Sequence, residues 1–203
     1  QETNARFLSI PHNSNLSKGY MFADRTIRGE DISADYARTR MEWEPVMEVT
    51  QFKGDSETHP FLSPNDEFAN FGVAGWDKCN LSCTRDMAPE TYAGSYAREA
   101  LKRGLELTLA IGAKPFKFGM IGSTDSHTSL ATADGNNFFG KHSGDEANNS
   151  ARGLDPQNLG TREGRFGWHY LASGYAAVWA TSNTREAIFD AMMRREVYAT
   201  TGP

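Results

Sequence analysis

The stretch from Pro89 to Thr128 most constrains the fold, because a long helical pattern leads directly into a short buried-strand pattern whose exit carries ionisable residues. In ETYAGSYAREALKRGLELTLAIGA, residues Tyr92, Tyr96, Leu101, Leu105 and Leu109 fall near helical spacing, Gly112 is a stop signal and Pro115 precludes continuation. FKFGMIGS, Phe116 to Ser123, then reads as a buried strand opening into TDSHT.

The same alternation recurs on both sides. RFLSI, Arg6 to Ile10, reads as a short strand stopped by Pro11, with His12 at its C-terminal tip. SADYARTRMEWE reads as a helix with Ser33 as N-cap, ended by Pro45, and VMEVT, Val46 to Thr50, as a second strand. Ser63-Pro64 before NDEFANF predicts a short helix, with a hydroxyl cap and acids where the helix dipole favours them. Residues 129–165 are rich in Gly, Asn, Asp and Ser and read as a long loop or lid. SGYAAVWA follows as a strand, TSNTREAIFDAMMRRE as a helix with an Asn183/Glu186 capping box, and VYAT as a last strand.

Strands alternating with helices predict an α/β fold with a mainly parallel sheet, in which ligands gather beyond the C-terminal ends of the strands. The 203 residues are expected to form a single domain. A net charge of −5, from 26 acids against 21 bases, provides no diffuse positive field for phosphate backbones and argues against nucleic acid as a partner. No apolar run approaches the roughly 20 residues needed to cross a bilayer, so no membrane partner is expected and the chain reads as soluble. Cys79 and Cys83 read equally as a bridge or as two free thiols, which leaves cytoplasm and periplasm both open. With no Cys-x-x-Cys pair, any metal must be held by histidine and carboxylate.

Three strand exits carry chemistry. Asp125 and His127, alternate residues leaving a strand, can point a carboxylate oxygen and an imidazole nitrogen at one divalent ion such as Zn, Mn or Fe; the plainer reading is a loop aspartate capping backbone amides. His12 is a further candidate ligand, or a turn residue. Asn13 and Asn15 beside it can donate amide hydrogen bonds to a substrate oxyanion or shape the turn. In QFKGDSETHP, Lys53, Asp55, Glu57 and His59 can bind a small anionic substrate and shuttle protons, or form a solvated loop. Glu48 could reach the same pocket or pair with an arginine. His142 lies within the long loop, and His169, between two aromatics, reads as a packing residue. Neither a Walker motif nor a G-x-S-x-G elbow is present.

The strings IPHNSN, EVTQFKGDSETHP, DEFANF, KFGMIGSTDSHT, NNFFGK and NTREAIFDAMMRREVYATTGP together resemble a large bacterial family whose domain has no assigned function and which is similar to the PHP (polymerase and histidinol phosphatase) superfamily. The resemblance covers nearly the whole chain. It implies a distorted (β/α) barrel with two or three metals at its C-terminal face, held by an early His-x-His, intermediate histidines, a glutamate and a late Asp-x-His. Asp125-Ser126-His127 matches the late motif and His12 a histidine leaving an earlier strand. The early His-x-His has no counterpart, since no two of His12, His59, His127, His142 and His169 are one residue apart.

The resemblance therefore implies a PHP-like domain fragment, incomplete on its N-terminal side. It would be a metal-dependent hydrolase of a phosphoester or related anionic ester, with His12, Asp125 and His127 as metal ligands. Asp125 and His59 would be catalytic, and Lys53, Asn13 and Asn15 substrate-binding. Such a partial site implies substoichiometric divalent metal, and an uncovered sheet edge would favour self-association. The alternative is a binding or structural module that keeps the fold without metal or catalysis.

Overall fold

The computed structural model describes residues 5–80, 84–127, 171 and 174–201. The expected loop at 129–165, with His142, lies outside the described residues, as do His169 and Cys83.

Helices and strands mix throughout. After a 3-10 turn at Ser14–Leu16 come helix α1 (Ala34–Trp43), strand β1 (Val46–Gln51) and the short strand β2 (Gly54–Asp55). A 3-10 turn at Pro89–Gly94 leads into α2 (Ala97–Ile111), followed by β3 (Gly119–Gly122), β4 (Ala176–Val178), α3 (Arg185–Arg194) and β5 (Val197–Ala199). Among the described residues no barrel closes. A three-stranded sheet has the order β2-β1-β3, and β4 pairs with β5.

The pairing corrects the expected parallel sheet. β1 and β3 run parallel, while β1–β2 and β4–β5 are antiparallel, because a two-residue turn allows only a hairpin between β1 and β2. β5 lies beside β3 in the same direction. Added side-chain atoms at Gly119 would meet Val197 and Arg195, and at Gly122 would meet Thr200, so the two strands start and end together. β1, β3 and β5 thus present their C-terminal ends on one side.

β1 is buried at all six positions, including Glu48, Thr50 and Gln51. A strand covered on both faces does not show the period of a half-exposed one, so the polar residues of VMEVTQ are interior groups. Its register against β3 shifts between Glu48 and Thr50, leaving Val49 as an extra residue on β1.

Around β1 and β3 the core gathers Phe22, Met47, Val49, Ala97, Ala100 and Phe116, with the Phe22 and Phe116 rings edge-to-face at 5.5 Å. α2 reaches this core through its small residues Ala97, Ala100 and Gly104, while Leu105 and Leu109, which mark the helical spacing in the sequence, are exposed. The backbone sets this choice. A Cβ at Gly104 would lie 2.8 Å from the Phe116 carbonyl oxygen, so glycine there lets α2 approach the next segment closely. Gly112 ends α2 in the left-handed conformation, as its stop signal predicts.

α1 begins where expected: the Ser33 hydroxyl accepts the Tyr36 amide at 3.2 Å, a bond worth about 1 kcal/mol. α3 is capped by Thr184, whose hydroxyl accepts the Ala187 amide, which moves the start one residue past Asn183.

Three further expectations are corrected. Arg6–Ile10 is irregular chain, and only Leu8 of its residues is partly covered, so it lacks the burial a strand needs. His12 consequently precedes a 3-10 turn instead of ending a strand. NDEFANF forms successive turns, with the Asp66 carboxylate accepting the Phe68 amide, a local bond that competes with helix. Cys79 is disulfide-bonded and sits on an isolated bridge to Asp86, away from any helix. No helix among the described residues is long and apolar enough to cross a membrane.

Candidate functional site

The C-terminal ends of β1 and β3 hold a cluster of charged groups. The Glu48 side chain, 3% exposed as a residue, accepts the Gln51 amide at 2.8 Å and the Ser123 hydroxyl. Burial pushes its carboxyl above the usual range; these two hydrogen bonds oppose the rise, nearby Asp125 adds to it and nearby His12 works against it. His12 comes close because the Pro11 carbonyl accepts the Glu48 amide at 2.9 Å, docking the 11–12 segment beside β1.

Asp125 stands just beyond β3 with a left-handed backbone, φ 49°, which aspartate tolerates better than most residues. One carboxylate oxygen meets the Lys53 ammonium, and the other lies 3.3 Å from His127 Nε2. Lys53 is itself buried, 7% exposed. Asn15 shapes that turn. Its Nδ2 donates to the Lys53 carbonyl at 2.9 Å and its Oδ1 accepts the Ser56 hydroxyl at 3.1 Å, so its amide is spent inside the chain.

Asn13, left-handed at φ 54°, buries an Oδ1 that has no hydrogen-bond partner, as does the Ser14 hydroxyl oxygen beside it. Unpartnered interior acceptors are uncommon and mark a place where a donor or a cation would be stabilised. His12 Nδ1 donates to the Ile10 carbonyl at 3.1 Å, since that carbonyl can only accept, which leaves Nε2 as the ring nitrogen that a ligand could use.

His59 belongs to a different neighbourhood. Its Nδ1 accepts the Phe61 amide at 3.1 Å, so Nε2 bears the proton and faces Asp77 at 3.3 Å. The ring lies 4.2 Å from Tyr92 and 5.5 Å from Tyr96. Both ring nitrogens are engaged there, and none of these partners belongs to the Glu48–Asp125 cluster.

The candidates therefore separate. Lys53, Asp125 and His127 come together, His12 joins them through Glu48, Asn13 adjoins His12, and Asn15 and His59 point their polar atoms elsewhere. Glu48, which the sequence leaves open between the pocket and an arginine partner, lies in the cluster. Its signal was a carboxylate in a strand that leads into a loaded loop, hidden because alternation suggested one wet face.

For a divalent ion, the donor types fit: two carboxylates, two imidazoles, a hydrogen bond at His12 Nδ1 that leaves Nε2 for a ligand, and an orphaned Asn13 oxygen. Convergence is partial. Among the described residues no group of three or more His, Cys, Asp or Glu is arranged to hold a metal, and an ammonium stands against Asp125.

The family model described as "Protein of unknown function (DUF3604)" matches residues 1–203. The chain belongs to this family. No curated protein and no solved structure matched the chain. Within DUF3604, the features that frame this chain's candidate site are a buried carboxylate on β1 and an Asp-x-His leaving β3.

Proposed function

We propose that this DUF3604 domain carries part of the site of a PHP-like metal-dependent hydrolase acting on a phosphoester or related anionic ester. β1, β3 and β5 would be strands of a distorted (β/α) barrel. The observation that carries the reading is the buried Glu48 carboxylate on β1, on which the charges of both His12 and Asp125 act, in a strand that runs parallel to β3; α/β folds collect catalytic groups beyond the C-terminal ends of such strands.

His12, Asp125 and His127 would hold the ion, with Glu48 as a fourth donor. When bound, a divalent metal lowers the pKa of water and offsets charge on an ester oxygen. The chain's own groups do the rest. Asp125 takes a proton from the attacking water, the Ser123 hydroxyl fixes the Glu48 carboxylate, and Lys53 leaves Asp125 to bind the anionic oxygen of the substrate. His59 is given no role in this reading, because its ring nitrogens face Asp77 and the Phe61 amide and not the Glu48–Asp125 cluster.

The Lys53–Asp125 pair favours one second reading, a metal-free binding module in which an ammonium neutralises the carboxylates permanently. Elemental analysis of chelator-free protein separates the two. Zn, Mn or Fe that survives dialysis and disappears in Asp125→Asn with His127→Ala supports the hydrolase. Metal-free protein with intact folding supports the module.

A further inference from the structure

A second cavity shares none of its lining residues with the Glu48–Asp125 cluster. A cavity of about 300 Å³ is lined by Asp55, Glu57, Phe68, Phe71, Arg98 and Thr201, among others. Asp55 is 5% exposed, and its Oδ1 accepts the Glu57 amide at 2.7 Å. The loop that ends at Gly72 presses against it. The Asp55 amide donates to the Gly72 carbonyl at 2.9 Å, and a Cβ at Gly72 would lie 2.8 Å from the Asp55 Cβ.

The charges around this cavity do not balance. Arg98, the one cation among the described lining residues, is committed to Glu57 at 2.6 and 2.9 Å and to Asp66 at 2.6 Å. Asp55 has no ion-pair partner among the described residues. Burial pushes its carboxyl up to about 7, helped by the nearby Glu57 charge and opposed by backbone amides and by Arg98. An interior carboxylate without a cation is costly, and a ligand that brings one removes that cost. Beside it, the rings of Phe68 and Phe71 stand 71% and 59% exposed, as faces for an apolar or cationic group.

We propose that this cavity binds a small organic cation, a primary ammonium on a short apolar chain, with the ammonium on Asp55 and the apolar part against Phe68 and Phe71. This site stands independently of the hydrolase reading. Of the groups facing Asp55, Glu57 and Arg98 are already paired. Tyr96 is held neutral, because burial raises its hydroxyl far above the usual range. Affinity therefore follows the Asp55 carboxylate, rising as pH passes through about 7.

Calorimetric titration of the intact chain with butylammonium chloride tests this, with butanol as the neutral control and magnesium chloride as competitor. Butylammonium is expected to bind more tightly at pH 8 than at pH 6, with butanol silent and magnesium without effect. Asp55→Asn, which keeps the acceptor for the Glu57 amide, is expected to weaken binding about tenfold. The surface change Phe71→Ala is expected to weaken it roughly threefold. Absence of butylammonium binding, equal binding of butanol, displacement by magnesium, or unchanged affinity in both variants would overturn the proposal.

Discussion

The Lys53 ammonium and the Asp125 carboxylate, 72 positions apart in the chain, form a largely covered ion pair that ties the β1–β2 turn to the exit of β3. Breaking a buried pair from one side leaves a charge without its partner, whereas neutralising both ends leaves none. Lys53→Met and Asp125→Asn are each expected to cost about 3 kcal/mol, and the double variant less than their sum by roughly 2 kcal/mol. Urea unfolding of the four proteins checks this; additive losses would mean that the pair carries no coupling.

Stability should fall as pH rises through the acid range, and Asp55 should be a principal cause. Its folded value, about 7, lies above the ordinary 3.8, so between these values the folded state binds more protons than the unfolded one. By linkage the Asp55 contribution is fully present below pH about 4 and is lost by pH about 7, a difference of roughly 4 kcal/mol. Glu48 shifts in the same direction. Comparing unfolding midpoints of wild type and Asp55→Asn at pH 4.5 and 7.5 isolates the effect: the variant should have the flatter profile, and parallel profiles would refute it.

His59 should matter for stability and not for chemistry. Its ring fills space between Tyr92 and Tyr96 and bonds Asp77. His59→Ala is expected to cost roughly 3 kcal/mol through the cavity and the unpaired carboxylate, with metal content unchanged. Loss of bound metal together with full thermal stability would return His59 to the site.

Gly104→Ala offers a test of the close contact between α2 and Phe116. In an exposed helix interior this change gains about 1 kcal/mol. Here the new Cβ meets a backbone carbonyl at 2.8 Å, so a net loss of roughly 1–3 kcal/mol is expected by thermal melting. A raised melting temperature would show that the helix shifts without cost.

Much of the fold was legible where local chemistry decides it. The Ser33 cap, the Gly112 stop and the apolar centre of GMIG all act within a few residues. Arg6–Ile10 has strand composition but no partner among the described residues that buries it, and NDEFANF has a helix start that Asp66 turns to another use. α2 was legible as a helix but not in its orientation, because close backbone approach at Gly104 outweighs leucine burial. At the site, Asp125 with His127 is a local pattern readable from spacing. The link from His12 to Glu48 runs through a backbone bond at Pro11, and the engagement of Asn15 and His59 depends on Ser56 and Asp77, partners distant in sequence.

The extra residue at Val49 divides β1 into two rulers, one set by Val46–Glu48 against Gly119–Ile121 and the other by Thr50 against Gly122. Shortening the strand there by a single residue would even out the ladder yet turn everything beyond it by half a pleat. The lysine at the hairpin tip would then swing away from its aspartate, so the chain can exchange side chains along this strand far more freely than it can change the strand's length.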